Sequence, residues 1–97
     1  MAMKKYDVAV VSVGSNECIK MLMQETSETL KEEGYTVKTV SLSHNITEEA
    51  FKDYLFKMID TGHVGEIYLL HPLPEHIEEL VKRMEEEETN KHVNYIH

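Results

Sequence analysis

A chain of 97 residues with 41% hydrophobic and 29% charged side chains has material for one core, which excludes wholesale disorder and a catalytic domain paired with a separate cofactor domain. Its 18 acidic against 10 basic side chains give a formal charge of −8, which repels phosphate backbones and anionic lipid, so no nucleic-acid or membrane partner is expected. The single Cys18 has no internal disulfide partner and no run approaches the ~20 apolar residues of a membrane span. "MAMKKYDVAVV" also lacks an apolar signal region, so residues 1–97 read as one cytoplasmic domain, with Met1-Ala2 ahead of Met3 in the form of a vector-derived start.

In chain order, Tyr6 to Val13, "YDVAVVSV", is a short β-branched apolar run ended by Gly14, the pattern of a strand buried on both faces. "SNECIKMLMQETSETLKEE" then spaces Ile19, Leu22, Met23 and Leu30 as a helix does, with Ser15 or Asn16 as N-cap and Gly34 at the left-handed position past its end. Met21, Met23 and Met58 read as core filler. A second strand is expected over Tyr35–Leu42, and a second helix follows from Ile46-Thr47 with Glu48 and Glu49 favourable to its amino-terminal dipole.

The third strand is placed at Glu66–His71, a third helix is led by Pro74, and a short fourth strand is "HVNYIH", His92 to His97. The acidic run Glu85 to Glu88 at the end of the third helix reads as a solvated face rather than a DNA mimic. Strand and helix alternate βαβαβαβ. Right-handed crossovers make this a three-layer α/β domain with a four-stranded, mainly parallel sheet in the order 2-1-3-4.

In that architecture ligands sit beyond the carboxyl ends of the strands, which makes neighbours of Gly14, Ser15, Asn16, His44, Asn45, His71 and Pro72. The candidate ligand-binding set is Gly14, Ser15, Asn16, His44, His71 and Pro72, for a small molecule or a protein partner. Loop histidines are common, and His44, His71 and His76 lack the i, i+4 spacing of a strong metal motif, so no metal is assigned. "VGSNE" has neither a dinucleotide nor a P-loop glycine pattern, no nucleophile elbow is present, and no catalytic residue or cofactor is assigned. Cys18, in the first turn of a helix, suits a thiol nucleophile or phosphocarrier, with His71 as acid or base, but the adjacent Glu17 opposes phosphate.

Between about Val8 and Ile77 the chain carries four landmarks at a spacing that needs no gaps in the comparison, "AVVSVG", "LKEEGYTVKTVSL", "ITEEAF" and "VGEIYLLHPLPEHI". These landmarks resemble the amino-terminal, folate-binding domain of methylenetetrahydrofolate dehydrogenase/cyclohydrolase, and Pro-Leu-Pro with its following His-Ile is the most specific piece. The resemblance implies an α/β fold and a folate-site wall at the Pro-Leu-Pro turn. It also implies a tyrosine, a lysine one turn later, and a glutamine two residues before Pro-Leu-Pro, where this chain has Leu22, Thr26 and Leu70. A phenol, an ammonium and an amide are thus replaced by groups that cannot fill their roles, and no dinucleotide domain follows. The expectation is a non-catalytic binding module that could pair through a sheet edge such as "HVNYIH" to form a homodimer.

Overall fold

The computed structural model describes residues 5–14, 16–87 and 93–96. The order is β1 (Tyr6–Val13), α1 (Glu17–Glu32), β2 (Val37–Leu42), α2 (Glu48–Asp60), β3 (Val64–Leu70), α3 (Glu75–Glu87) and β4 (Val93–Ile96). The four strands form one sheet in the order β2-β1-β3-β4, as expected, and every pairing is parallel. Central β1 is opposite β2 from Val8↔Val37 to Val13↔Leu42 and opposite β3 from Tyr6↔Val64 to Val11↔Leu69.

Right-handed crossovers also decide which face each helix covers. The step from β1 to β2 runs one way across the sheet, and the steps from β2 to β3 and from β3 to β4 run the other way. α1 therefore lies on one face, against β1, β2 and β3, while α2 and α3 pack together on the opposite face. The helix-pair face holds the larger core, where Phe51, Leu55, Ile67, Leu69 and Ile77 are fully buried with Val11, Val81 and Met84. Each such side chain contributes about 1.5–3 kcal/mol of transfer free energy. Val8, Val10, Leu30 and Leu70 make a smaller core under α1, flanked by half-buried Leu22, Met23, Val37 and Tyr68.

Several boundaries move by one or two residues for local reasons. Gly34, at φ 98°, closes α1 in a Schellman arrangement: its N–H reaches the Lys31 carbonyl at 3.0 Å, and the Tyr35 N–H reaches the Leu30 carbonyl at 3.1 Å. Thr36 is next held by Asp7, whose carboxylate accepts from the Thr36 N–H at 2.9 Å, so β2 begins at Val37 rather than Tyr35. β3 starts earlier than expected, at Val64, because the Tyr6 end of β1 extends the ladder across Gly65, which interrupts the apolar run in the sequence. Met58 is buried and Met23 half-buried, but Met21 is 60% exposed and is not core filler: it points away from the sheet side of α1.

At Gly34 an added Cβ meets nothing within 4 Å, so substitution there carries only the backbone cost of the left-handed conformation. Gly34→Ala should lower the free energy of urea unfolding by roughly 1–2 kcal/mol without changing the slope of the transition.

Candidate functional site

Parallel strands place their carboxyl ends together, so the β1–α1, β2–α2 and β3–α3 connections meet at one edge of the sheet. Between them lies an open cleft of about 420 Å³, lined by Val13, Gly14, Asn16, Ile19, His44, Pro72, Leu73 and Pro74. Gly14, Asn16, His44 and Pro72 from the candidate set are therefore brought together. Ser15 lies outside the described residues. His71 is half-buried at the exit of β3, joined to Pro72 by a cis peptide bond, and does not line the cleft.

Each wall has a local cause. Gly14 turns the chain at φ 91°, a left-handed conformation that favours glycine, and a Cβ built on it would make ordinary contact with Cδ2 of His44 at 3.8 Å. Asn16 caps α1, its Oδ1 accepting from the Ile19 N–H at 2.8 Å, which directs the first turn of the helix toward the cleft. The loop carrying His44 is folded by a Ser43 carbonyl that accepts from the Ile46 N–H at 3.0 Å. It is tied to α3 by a ring N–H of His76 donating to the Ile46 carbonyl at 2.8 Å. His76 is thus a structural tether between two walls of the cleft, a role its spacing in the sequence did not reveal.

Cys18 is exposed on the first turn of α1 and stands outside the cleft lining. Among the described residues no three His, Cys, Asp or Glu side chains gather as metal ligands, and no helix is long and apolar enough to cross a membrane.

A second hollow, of about 440 Å³, runs beside α1 and is lined by Leu22, Glu25, Thr26, Thr29, Leu30, Glu33 and Tyr68. It contains Leu22 and Thr26, and Leu22 packs on the same small core as Leu70. Burial pushes the Tyr68 phenol above its usual ionisation range, and Glu66, Tyr35 and Glu33 push it in the same direction.

At the opposite, amino-terminal edge of the sheet, the Lys38 ammonium lies 3.0 Å from Nε2 of His63 and 5.9 Å from the centre of the Tyr6 ring, which meets His63 edge-on. The contact requires a neutral imidazole that accepts from Lys38. Desolvation, then Lys38 and Lys5, lower the His63 pKa below the usual 6.5. These residues are far apart in the chain and carry no motif, so only the pairing of β1 with its neighbours reveals the cluster.

No protein-family model and no curated protein matches the chain. Among solved structures it is similar to the bifunctional methylenetetrahydrofolate dehydrogenase/cyclohydrolase FolD of Campylobacter jejuni, with a TM-score of 0.69 and 23% sequence identity. The match covers 80% of this chain and 29% of that one, so the chain spans less than a third of that enzyme's length. The two share the fold.

Because the folded-state pKa of His63 is lowered, the folded protein binds fewer protons than the unfolded chain at mildly acidic pH. The stability contributed by the neutral imidazole is complete above the unfolded value near 6.5 and falls as pH drops below it. Urea midpoints taken between about pH 7.5 and pH 5.5 should therefore decline more steeply for the wild type than for His63→Gln.

Proposed function

We propose that this chain is a non-catalytic α/β binding module built on the fold of the folate dehydrogenase/cyclohydrolase domain, taking a small polar ligand in the strand-end cleft. The observation that carries the non-catalytic part is the state of Leu22, Thr26 and Leu70, the places where the resemblance calls for a tyrosine, a lysine and a glutamine. Leu70 is 1% exposed and packed with Val8, Val10 and Leu30, and Leu22 lies against the same cluster. An apolar core cannot relay protons. Tyr68, the phenol lining the adjoining hollow, holds its proton more tightly than a free tyrosine, which suits it poorly to acid-base work at neutral pH.

The binding part rests on the cleft lined by Gly14, Asn16, His44 and Pro72. It offers the backbone turn at Gly14, the amide end of α1 and one imidazole, beside the apolar rings of Pro72 and Pro74. Glu17 at the start of α1 opposes a doubly charged phosphate, so the favoured ligand is neutral or singly charged, such as a monocarboxylate. A thiol-based carrier draws less support, since Cys18 stands outside this lining.

Incubated with methylenetetrahydrofolate and either NAD or NADP, the protein should give no reduction of the nicotinamide above the enzyme-free rate. Turnover that survives purification and is lost in a Tyr68→Phe variant would contradict the non-catalytic assignment. In a titration of the ¹⁵N-labelled chain with small monocarboxylates, amide shifts should gather at Gly14, Asn16 and His44. Shifts elsewhere, or none at millimolar ligand, would remove the cleft from consideration.

A further inference from the structure

All-parallel sheets are found almost only with both faces covered, because their strands are apolar on both sides. Here α2 and α3 cover one face, whereas among the described residues α1 alone lies on the other. α1 sits over β1 and its neighbours, and the outer side of β3 and β4 on that face carries Glu66, half-buried Tyr68 and exposed Asn94, which donates to Glu66 at 3.0 Å. Between α1 and β3 runs the hollow lined by Leu22, Thr26, Thr29, Glu33 and Tyr68. Along α1, Leu22, Thr26, Thr29 and Glu33 lie at helical spacing, a strip roughly 16 Å long at about 1.5 Å per residue. The strip parallels the place that a second helix would occupy on this face.

The charge around the strip is segregated. Glu25 and Glu33 line it, and Glu66 and Glu33 both act on the Tyr68 phenol. Lys20 and Lys31, the basic side chains of α1, fall on the far side of the helix at about 3.6 residues per turn, toward β2. A second copy of this chain would bring its own Glu25, Glu33 and Glu66 against the same carboxylates, which like-charge repulsion disfavours. An added strand would find no free ladder in the interior of this face, whereas a helix satisfies its own backbone and needs only an apolar stripe.

We propose that the α1–β3 groove is a docking site for an amphipathic helix of a partner protein, with its apolar stripe on Leu22 and Tyr68 and lysine or arginine flanks paired with Glu25, Glu33 and Glu66. The docked helix covers the part of this face that α1 leaves open among the described residues. Groove and strand-end cleft share no lining residue, so docking is independent of the ligand assignment, while it rests on the non-catalytic reading of Leu22, Thr26 and Tyr68.

The test uses the whole ¹⁵N-labelled chain and a designed Leu/Lys peptide of about 18 residues, amphipathic at the helical period, beside a peptide of the same composition with that period scrambled. The amphipathic peptide should shift the amides of Leu22 to Glu33 and of Glu66 to Leu70. The scrambled one should bind at least tenfold more weakly. The double variant Glu25→Lys, Glu33→Lys, altered only at exposed positions and checked by circular dichroism for an intact fold, should lose at least tenfold in affinity. Glu78→Lys, Glu79→Lys on α3 should cost less than twofold. Equal binding of the scrambled peptide, shifts centred on α3, or unchanged affinity in the Glu25/Glu33 variant overturns the proposal. So does dimerisation in sedimentation runs that Tyr68→Asp abolishes, since the occupant would then be a second copy. The monocarboxylate titration reads a different set of amides, so failure at either place is separately visible.

Discussion

Parallel strands can be joined only by a crossover that passes over a face of the sheet, and with L-residues that crossover is right-handed. With β1 and β3 at the centre and β2 and β4 at the edges, handedness places α1 on one face and sends α2 and α3 to the other. Everything distinctive about this small domain follows from that asymmetry. The helix-pair face buries Phe51, Leu55, Ile77 and their neighbours in a core large enough to hold the fold. The single-helix face has a smaller apolar cluster of Val8, Val10, Leu30 and Leu70 and leaves Tyr68 half-exposed at its margin.

The same topology gathers three loops at the carboxyl edge. Each reaches its position through ordinary local chemistry: a glycine in the left-handed region at Gly14, a side-chain cap at Asn16, and a histidine at 76 that ties the loop bearing His44 to α3. A cleft results without any residue being strained toward catalysis. Among the described residues the cleft lining carries one imidazole, His44, and the hollow beside α1 carries Leu22 and Thr26. The fold is the one seen in a folate dehydrogenase/cyclohydrolase, and one scaffold commonly hosts several functions.

Most of the fold was legible in the sequence because its signals are local and agree with one another. Tyr6 to Val13 is continuously apolar and β-branched, Asn16 and Thr47 stand as caps, Gly34 stops α1, and Pro74 precedes α3. The alternation of elements with right-handed crossovers then gives the strand order. The meeting of Gly14, Asn16, His44 and Pro72 was legible for the same reason, since strand ends converge by topology alone. Features that depend on side-chain direction were not. Met21 lies within a helical apolar pattern yet faces solvent, and His76 serves the Ile46 carbonyl rather than the cleft. Lys38 and His63, 25 residues apart, meet only because β1 aligns their strands. The uneven covering of the two faces is likewise a property of the assembled sheet.

The central proposal is that Leu70, where the resemblance implies a glutamine, belongs to the packed core. Leu70→Gln, which restores the amide that the resemblance implies, measures this most directly by urea unfolding. At 1% exposure among Val8, Val10 and Leu30, the glutamine amide would be buried without an apolar replacement for the lost contacts, and stability should fall by about 2–3 kcal/mol. Unchanged stability, with the variant gaining affinity for tetrahydrofolate over the wild type, would show instead that a polar site persists there and would contradict the claim.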